Sequence, residues 1–209
     1  MGAVLENNAI FLTISNGKIC KKVPKKTAIS VERVNKNGAT VNEEFYKGWK
    51  GQITAIEVRE HKEFGKFWNI TLKDDDGEAI LQMNYSSGYS AAFLKTLPNI
   101  DLSSDVVITP NLKMEGDKKK TTVFVTQHGQ PIKWYYTKDN MNGLPELKKI
   151  RVKGKDTWDD SDIMEFLEKM VDTEIVPKLN KGARKSSTGG AFDVEDIDPE
   201  DTEKDDLPF

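Results

Sequence analysis

Aromatic and basic side chains lie close together at three places in this 209-residue sequence. The three stretches are 47–50 (KGWK), 64–68 (FGKFW) and 133–136 (KWYY). Single-stranded nucleic acid is bound by cations that follow its phosphates and by aromatic rings that stack on its bases, and each stacked base contributes about 1–3 kcal/mol. The pattern therefore indicates a surface that binds single strands without a preference for base sequence.

Strand periodicity sorts the aromatic residues, because successive side chains of a strand point to opposite faces. In the predicted strand 66–72, Trp68 shares a face with Ile70 and Leu72, so this face is predicted to be core. Phe67 lies on the other face, which predicts an exposed ring that can stack on a base.

The same reasoning applies to the later strands. Val123 and Val125 are predicted to point inward, which places Phe124 outward, and Trp134 and Tyr136 are predicted to be core, which places Tyr135 outward. Tyr85 lies beside a turn and can face either way. The predicted stacking residues are Phe67, Phe124, Tyr135 and Tyr85.

Phosphate contacts are predicted for basic residues that lie on or between these strands. These residues are Lys50, Arg59, Lys62, Lys66, Lys113, Lys118, Lys119, Lys120 and Lys133. The run of three lysines at 118–120 falls at a turn between two predicted strands, where a nucleic-acid-binding barrel places a binding loop.

The sequence shows no combination of residues typical of catalysis, so a non-enzymatic protein without cofactor or metal is expected. No glycine-rich phosphate loop is present, and neither of the two histidines accompanies a serine or cysteine nucleophile motif. The run 74–76 (DDD) before Gly77 predicts a tight turn. Together with Glu78 it is also the one place where a metal-dependent nuclease is an alternative. A single cysteine excludes an intramolecular disulfide.

Hydrophobic periodicity predicts mainly β structure. Strands are expected at residues 52–60, 66–72, 78–85, 105–114, 119–127 and 131–137, with a helix at 90–97. Three strands, a short helix and at least two further strands are the order of an OB-fold, a five-stranded Greek-key barrel with a helix between its third and fourth strands. Another small barrel or sandwich with an inserted helix is the alternative.

Further elements are predicted on both sides of this barrel. Two hairpins, with turns at Asn16-Gly17 and Asn37-Gly38, form an N-terminal extension over residues 9–46. A C-terminal helix is predicted at 161–179, which Pro177 bends or ends. Its apolar stripe comprises Ile163, Phe166, Leu167, Met170 and Val171. The stripe is expected to pack on the body or on a second copy of the chain, so a homodimer is one expected arrangement.

Charge divides the chain into two parts. Residues 193–209 contain nine acidic residues and one lysine, whereas residues 1–192 contain 30 basic and 25 acidic residues. We therefore predict a nucleic-acid-binding domain at 1–181 and a flexible linker with a disordered acidic tail at 182–209. No apolar run approaches the roughly 18 residues of a membrane span, and a cytoplasmic protein is expected.

The chain ends in Asp205, Asp206, Leu207, Pro208 and Phe209. This ending resembles the tip of bacterial single-stranded-DNA-binding proteins, which end in acidic residues followed by Ile-Pro-Phe, with Leu here in place of Ile. The N-terminal extension and the long final helix make the body more similar to phage-encoded proteins of the same function, which also end in an acidic tail and a terminal Phe.

The resemblance implies a protein that coats single-stranded DNA during replication, recombination or repair, in the cytoplasm of the bacterial host if it is phage-encoded. It also implies that the tail binds partner enzymes such as polymerases, primases, helicases and nucleases. Phe209 would enter an apolar pocket while the nearby acids meet basic residues of the partner. The open alternatives are an RNA-binding OB-fold protein and an adaptor that acts only through its tail.

Overall fold

The computed structural model describes residues 9–35, 38–152 and 154–182. The predicted mainly β class is confirmed. The strands are β1 (Ile10–Ser15), β2 (Lys18–Val23), β3 (Val31–Val34), β4 (Thr40–Tyr46), β5 (Trp49–His61), β6 (Gly65–Lys73), β7 (Glu78–Asn84), β8 (Val106–Glu115), β9 (Lys118–Gln127), β10 (Gln130–Pro131), β11 (Lys148–Val152) and β12 (Lys155–Asp159). The predicted linker and tail from residue 183 onward, including Asp205–Phe209, lie outside the described residues.

The helical elements are fewer and short. They are α1 (Gly88–Thr96), a 3₁₀ turn (Leu97–Asn99), α2 (Ser161–Met170), a π-helical turn (Val171–Ile175) and α3 (Val176–Gly182). In the part of the chain that the structure describes, no helix has both the length and the apolar character needed to cross a membrane.

Ten strands form one sheet in the order β10-β9-β8-β5-β6-β7-β1-β2-β4-β3. The long strand β5 joins its two parts. Its first residues, Trp49 to Gly51, pair with β8, and the rest of the strand pairs with β6. A register shift between Ile53 and Ala55 lies just after this change of partner, within the pairing with β6, as expected of a bulge that bends a strand.

The sheet does not close into a barrel over the described residues. The outer edge of β7 pairs in parallel with β1 of the N-terminal extension, from Ile10 opposite Ala79 to Leu12 opposite Leu81. Because β1 fills this edge, β7 pairs with β6 and β1 rather than with β9. The extension is therefore part of the sheet itself.

The β1–β2 hairpin turns at Asn16-Gly17, as predicted, with both residues at positive φ. Its tip lies against β8. A Cβ atom on Gly17 would lie 2.7 Å from the backbone nitrogen of Leu112, so both the turn conformation and the close approach require glycine.

The core lies between one face of the sheet and the helices. Helix α1 is almost entirely buried, and Ser87 caps it by accepting a hydrogen bond from the Ser90 N–H at 3.1 Å. The helix approaches β9 so closely that a Cβ atom on Gly88 would lie 2.4 Å from Thr121 Oγ1. A glycine at the start of α1 thus sets the distance between helix and sheet.

The apolar stripe of the C-terminal helix is buried in the core of the same chain. Ile163, Leu167, Met170 and Val171 are buried there, whereas Phe166 is half-buried and packs edge-on against Tyr136. This packing on the body matches one of the two arrangements predicted for the stripe. A homodimer would need another surface and stays a prediction.

Pro177 does not end the helix. The π-helical turn (Val171–Ile175) precedes it, and Pro177 lies in the first turn of α3. The first turn of a helix tolerates a missing N–H, and a π-helical turn changes the hydrogen-bond ladder just before that point. The helical path therefore continues to Gly182.

Two parts of the fold differ from the sequence prediction. The predicted strand 131–137 is wrong beyond Pro131, because the chain leaves the sheet after one hydrogen bond from Ile132 to the Val125 carbonyl and then contacts α1. The polar stretch before α2 contains a hairpin that the sequence did not predict, formed by β11 and β12 as a separate two-stranded sheet.

Candidate nucleic-acid interface

The clearest candidate interface is the outer face of the β8–β9 hairpin, which we call the ribbon face. Phe124 of β9 lies there opposite Thr109 of β8, and Lys113 lies opposite Lys120. The Phe124 ring is 54% exposed, as predicted from the burial of Val123 and Val125 on the other face. One exposed aromatic ring and several lysines therefore share one side of a two-stranded ribbon.

The register places further predicted residues on this face. Lys118 lies opposite Glu115 at the tip. At the other end, Lys50 pairs with Val107, which in turn pairs with Thr126. The ribbon face comprises Lys50, Lys113, Lys118, Lys120 and Phe124, together with the hydroxyl-bearing Thr109, Thr122 and Thr126.

Two carboxylates pair with three of these lysines. Glu115 accepts from Lys113 at 3.1 Å and lies 3.7 Å from Lys120, and these cations lower the pKa of Glu115. Asp105 lies 3.1 Å from Lys50 and raises the pKa of that lysine. Exposed ion pairs of this kind stabilise by only about 0–1 kcal/mol, so a phosphate can replace either carboxylate at little cost.

Lys119 does not share the ribbon face with its neighbours. It pairs with Met114 and lies on the opposite side of the hairpin, because alternation turns every second residue away. Met114 is 54% exposed on that side, the same fraction as Phe124, which makes it a matched control for experiments on the ribbon face.

Phe67 is not exposed, which contradicts the sequence prediction. It does point away from the core cluster that contains Trp68, but it is only 3% exposed. β6 is buried on both faces from Phe67 to Ile70, and Phe67 lies between its register partners Arg59 of β5 and Asn84 of β7. As placed, its ring offers no open face to a base.

Tyr85 is part of a packed group that we call the tyrosine cluster, formed by Lys66, Trp68, Tyr85 and Glu168. The Tyr85 ring stacks on Trp68 with centroids 5.7 Å apart, Lys66 Nζ lies 5.2 Å from its centroid, and its hydroxyl donates to Glu168. Burial and this hydrogen bond raise the pKa of Tyr85. The cluster attaches α2 to the sheet.

The remaining basic residues predicted on β5 and β6 lie at the far end of β5. Arg59 is exposed and pairs with Glu57 at 2.9 Å, and Lys62 is exposed in the loop before β6. Lys66 lies 3.8 Å from Glu168. Arg59 lies nine positions after Lys50 along β5, a contour of roughly 30 Å, so the predicted cations form two groups.

The segment after β10 carries three further aromatic residues. Tyr136 is buried as predicted, and Tyr135 is 41% exposed, with its N–H donating to the Lys95 carbonyl at 2.7 Å. Trp134, predicted to be core, is exposed, and Lys95 Nζ lies 5.6 Å from its ring. The core prediction is wrong because strand alternation does not apply where the chain is not a strand.

Lys133 lies in the same segment and is exposed. Its carbonyl accepts from the Asn99 side chain at 3.0 Å. Ile132 still donates to the Val125 carbonyl of β9, and Lys133 is the next residue of the chain. Because the chain leaves the sheet here, the register does not assign the Lys133 side chain to the ribbon face.

Sequence reasoning did not identify two exposed aromatic residues. Phe11 of β1 lies beside Ile80 on the outer face of the sheet, and Trp158 lies on β12. The signal for Phe11 was present, since Leu12 and Ile14 predict an inward face that leaves Phe11 outward. Trp158 required recognition of a hairpin in a polar stretch.

The aspartate run forms a turn, as predicted. Asp74 Oδ1 accepts from the N–H groups of Asp76 and Gly77 at 2.9 and 3.0 Å. Over residues 9–35, 38–152 and 154–182, no group of three or more His, Cys, Asp or Glu residues is arranged to hold a metal ion.

Comparison of the chain with protein-family models, curated proteins and solved structures finds no match.

Proposed function

We propose that this protein is a non-enzymatic single-stranded-DNA-binding protein that coats exposed strands without a preference for base sequence. It acts in replication, recombination or repair, with the acidic C-terminal tail recruiting partner enzymes. The observation that carries the proposal is the ribbon face, on which an exposed Phe124 lies in line with Lys113, Lys118 and Lys120. A stacking ring beside phosphate-binding cations is the chemistry that single strands require.

The strand arrangement supports an OB-type architecture for the central part. Strands β5 to β9 lie in the order β9-β8-β5-β6-β7, with α1 following the third of them. OB-folds bind oligonucleotides with the loop between strands one and two and the loop between strands four and five. These correspond to the β5–β6 loop, which holds Lys62, and to the β8–β9 turn next to Lys118.

In this arrangement, strand β1 of the N-terminal extension occupies the edge of β7 at which the barrel would otherwise close. A closed barrel would pair β7 with the last strand, whereas β1 occupies that edge here. The addition brings Phe11 to the outer face of the β6–β7 region, where OB-folds bind their ligands.

The test is a titration of the full chain with oligo-dT of about 30 nucleotides, longer than the roughly 4–16 nucleotides that one OB-fold covers. Binding is followed by intrinsic fluorescence and by anisotropy of a labelled strand, with duplex DNA and oligo-U run beside it. We expect tight binding to oligo-dT, weak binding to duplex, and a log–log salt slope of about −0.7 per phosphate neutralised.

Phe124→Ala assigns this binding to the ribbon face. Loss of one stacked base predicts an affinity about 5- to 100-fold weaker, whereas Met114→Ala, equally exposed on the opposite side, leaves affinity unchanged. Equal effects of the two variants would contradict the assigned face. Preference for oligo-U would favour the RNA-binding alternative, and no binding to any strand would leave the tail-driven adaptor.

The tail is tested with a chain that ends at Gly190. Tail and DNA are both polyanions, so they compete for the same cations. We expect the shortened chain to bind oligo-dT more tightly at low salt and to lose binding to partner enzymes.

A further inference from the structure

The hairpin of β11 and β12, which we call the hairpin arm, forms a two-stranded sheet of its own. It lies directly before α2 in the chain. On its residues 148–159 the sequence places five basic and two acidic residues. A strongly basic ribbon outside the main sheet has the charge to bind a polyanion.

The register sorts the arm into two faces. Lys149 lies opposite Trp158 and Arg151 lies opposite Asp156, so these four side chains share one face. The other face carries Ile150 and Thr157.

The second face of the arm contacts the start of α2. Lys148, which pairs with Asp159, forms an ion pair with Asp162 in the first turn of α2, and Asp162 raises the pKa of Lys148. The attachment therefore lies on the side that does not carry Trp158.

Trp158 is the most exposed tryptophan of the described residues, at 53%. Directly opposite residues on one face of an antiparallel pair have Cβ atoms about 4.5–5.5 Å apart, so Lys149 is beside the indole. Asp156 holds both cations there, with Lys149 at 2.8 Å and Arg151 at 3.9 Å.

We propose that the hairpin arm is a second single-strand contact, in which Trp158 stacks on a base while Lys149 and Arg151 contact the flanking phosphates. The inference rests on the proposed function, because it concerns the same strand. It assigns part of the binding to residues that belong neither to the ribbon face nor to the acidic tail.

The experiment uses the full chain and oligo-dT of about 30 nucleotides, longer than the site of a single OB-fold. Trp158→Ala is expected to weaken binding about 5- to 100-fold, and Trp158→Phe is expected to retain most of the affinity because it keeps an aromatic face. Ile150→Ala, on the other face of the same arm, is the matched control and leaves affinity unchanged.

Fluorescence gives a direct readout of the contact. In Trp134→Phe, Trp158 remains the one strongly exposed indole of the described residues, since Trp49 is half-buried and Trp68 is buried. Oligo-dT is expected to quench this emission and to protect it from acrylamide.

The outcomes separate the two proposals. If Phe124→Ala weakens binding while Trp158→Ala and the Trp158 emission show no change, the arm is not a contact and the proposed function stands. If the unmodified chain does not bind oligo-dT, both proposals fail. Circular dichroism melting of each variant checks that the fold is intact, and quenching of the Trp158 emission in Trp134→Phe keeps the test valid if Trp158→Ala does not fold.

Discussion

The ribbon face and the tyrosine cluster are built from the same kinds of residue, yet they have different environments. On the ribbon face, lysines flank a Phe124 ring that is more than half exposed. In the tyrosine cluster, Lys66 lies over a Tyr85 ring that already stacks on buried Trp68 and bonds to Glu168. The exposure of the aromatic ring, rather than the composition, therefore distinguishes a candidate binding surface from a packing contact.

The largest expected effect is on stability and concerns Phe67. This residue is next to Trp68 of the tyrosine cluster, and the sequence analysis predicted its ring to be exposed. Phe67→Ala is expected to lower the free energy of unfolding by about 3–5 kcal/mol, because it removes a buried ring from a site that cannot fully collapse. Urea denaturation followed by circular dichroism measures this. Phe124→Ala is the comparison and should change stability by less than about 0.5 kcal/mol. A small loss for Phe67→Ala would mean that its ring is not packed as described.

The cations of the two regions are expected to differ in their salt dependence. Lys113→Ala with Lys120→Ala removes two of the proposed phosphate contacts and should reduce the magnitude of the log–log salt slope for oligo-dT by about 1.4. Lys66→Ala, whose amino group lies between Tyr85 and Glu168, should leave the slope unchanged. The affinity is measured at four or five salt concentrations. Equal slopes for the two variants would mean that the ribbon face and the tyrosine cluster do not differ in their contact with phosphates.

Substitution of Glu115 is expected to have a smaller effect on affinity, and it should strengthen binding to oligo-dT instead of weakening it. Glu115→Gln removes the carboxylate that pairs with Lys113 and Lys120, so it should tighten binding to oligo-dT by about 2- to 5-fold at low salt, within the range of an exposed ion pair. The gain should shrink as salt rises. Glu57→Gln, which removes the partner of Arg59 at the far end of β5, shows whether the second group of cations responds in the same way.

The pH dependence of stability gives the smallest expected effect. Burial and the hydrogen bond to Glu168 raise the pKa of Tyr85 above its ordinary value near 10, so the fold favours the neutral phenol. The resulting stabilisation is complete below about pH 10 and is lost as pH rises further. Tyr85→Phe should therefore weaken the decline in stability above that pH.

Urea denaturation at about pH 9 and pH 11 measures this decline, and phenolate absorbance follows the titration itself. Tyr135→Phe, on a more exposed ring, is the matched control. An unchanged decline in Tyr85→Phe would mean that the hydroxyl does not bond to Glu168 in solution. The hydrogen bond to Glu44 raises the pKa of Tyr46 to about 12. The part of the decline in stability that is due to Tyr46 should therefore remain in both variants.

The sequence by itself determined those elements whose signals are local. β2 and β4 lie within the two predicted hairpins of the N-terminal extension, the Asn16-Gly17 turn lies where expected, and Phe124 is exposed because Val123 and Val125 are buried on the other side. Each of these follows from alternation or turn chemistry within a few residues.

Tertiary structure decided the rest, because burial depends on what covers a surface. Alternation gave the direction of Phe67 correctly, but it could not show that β6 is buried on both faces from Phe67 to Ile70 in the folded protein. The pairing of β1 with β7 occupies the edge at which a closed barrel would continue. Beyond β10, Tyr135 hydrogen-bonds to α1 and Trp134 is exposed. These contacts join residues far apart in the chain, so periodicity within one segment could not show them.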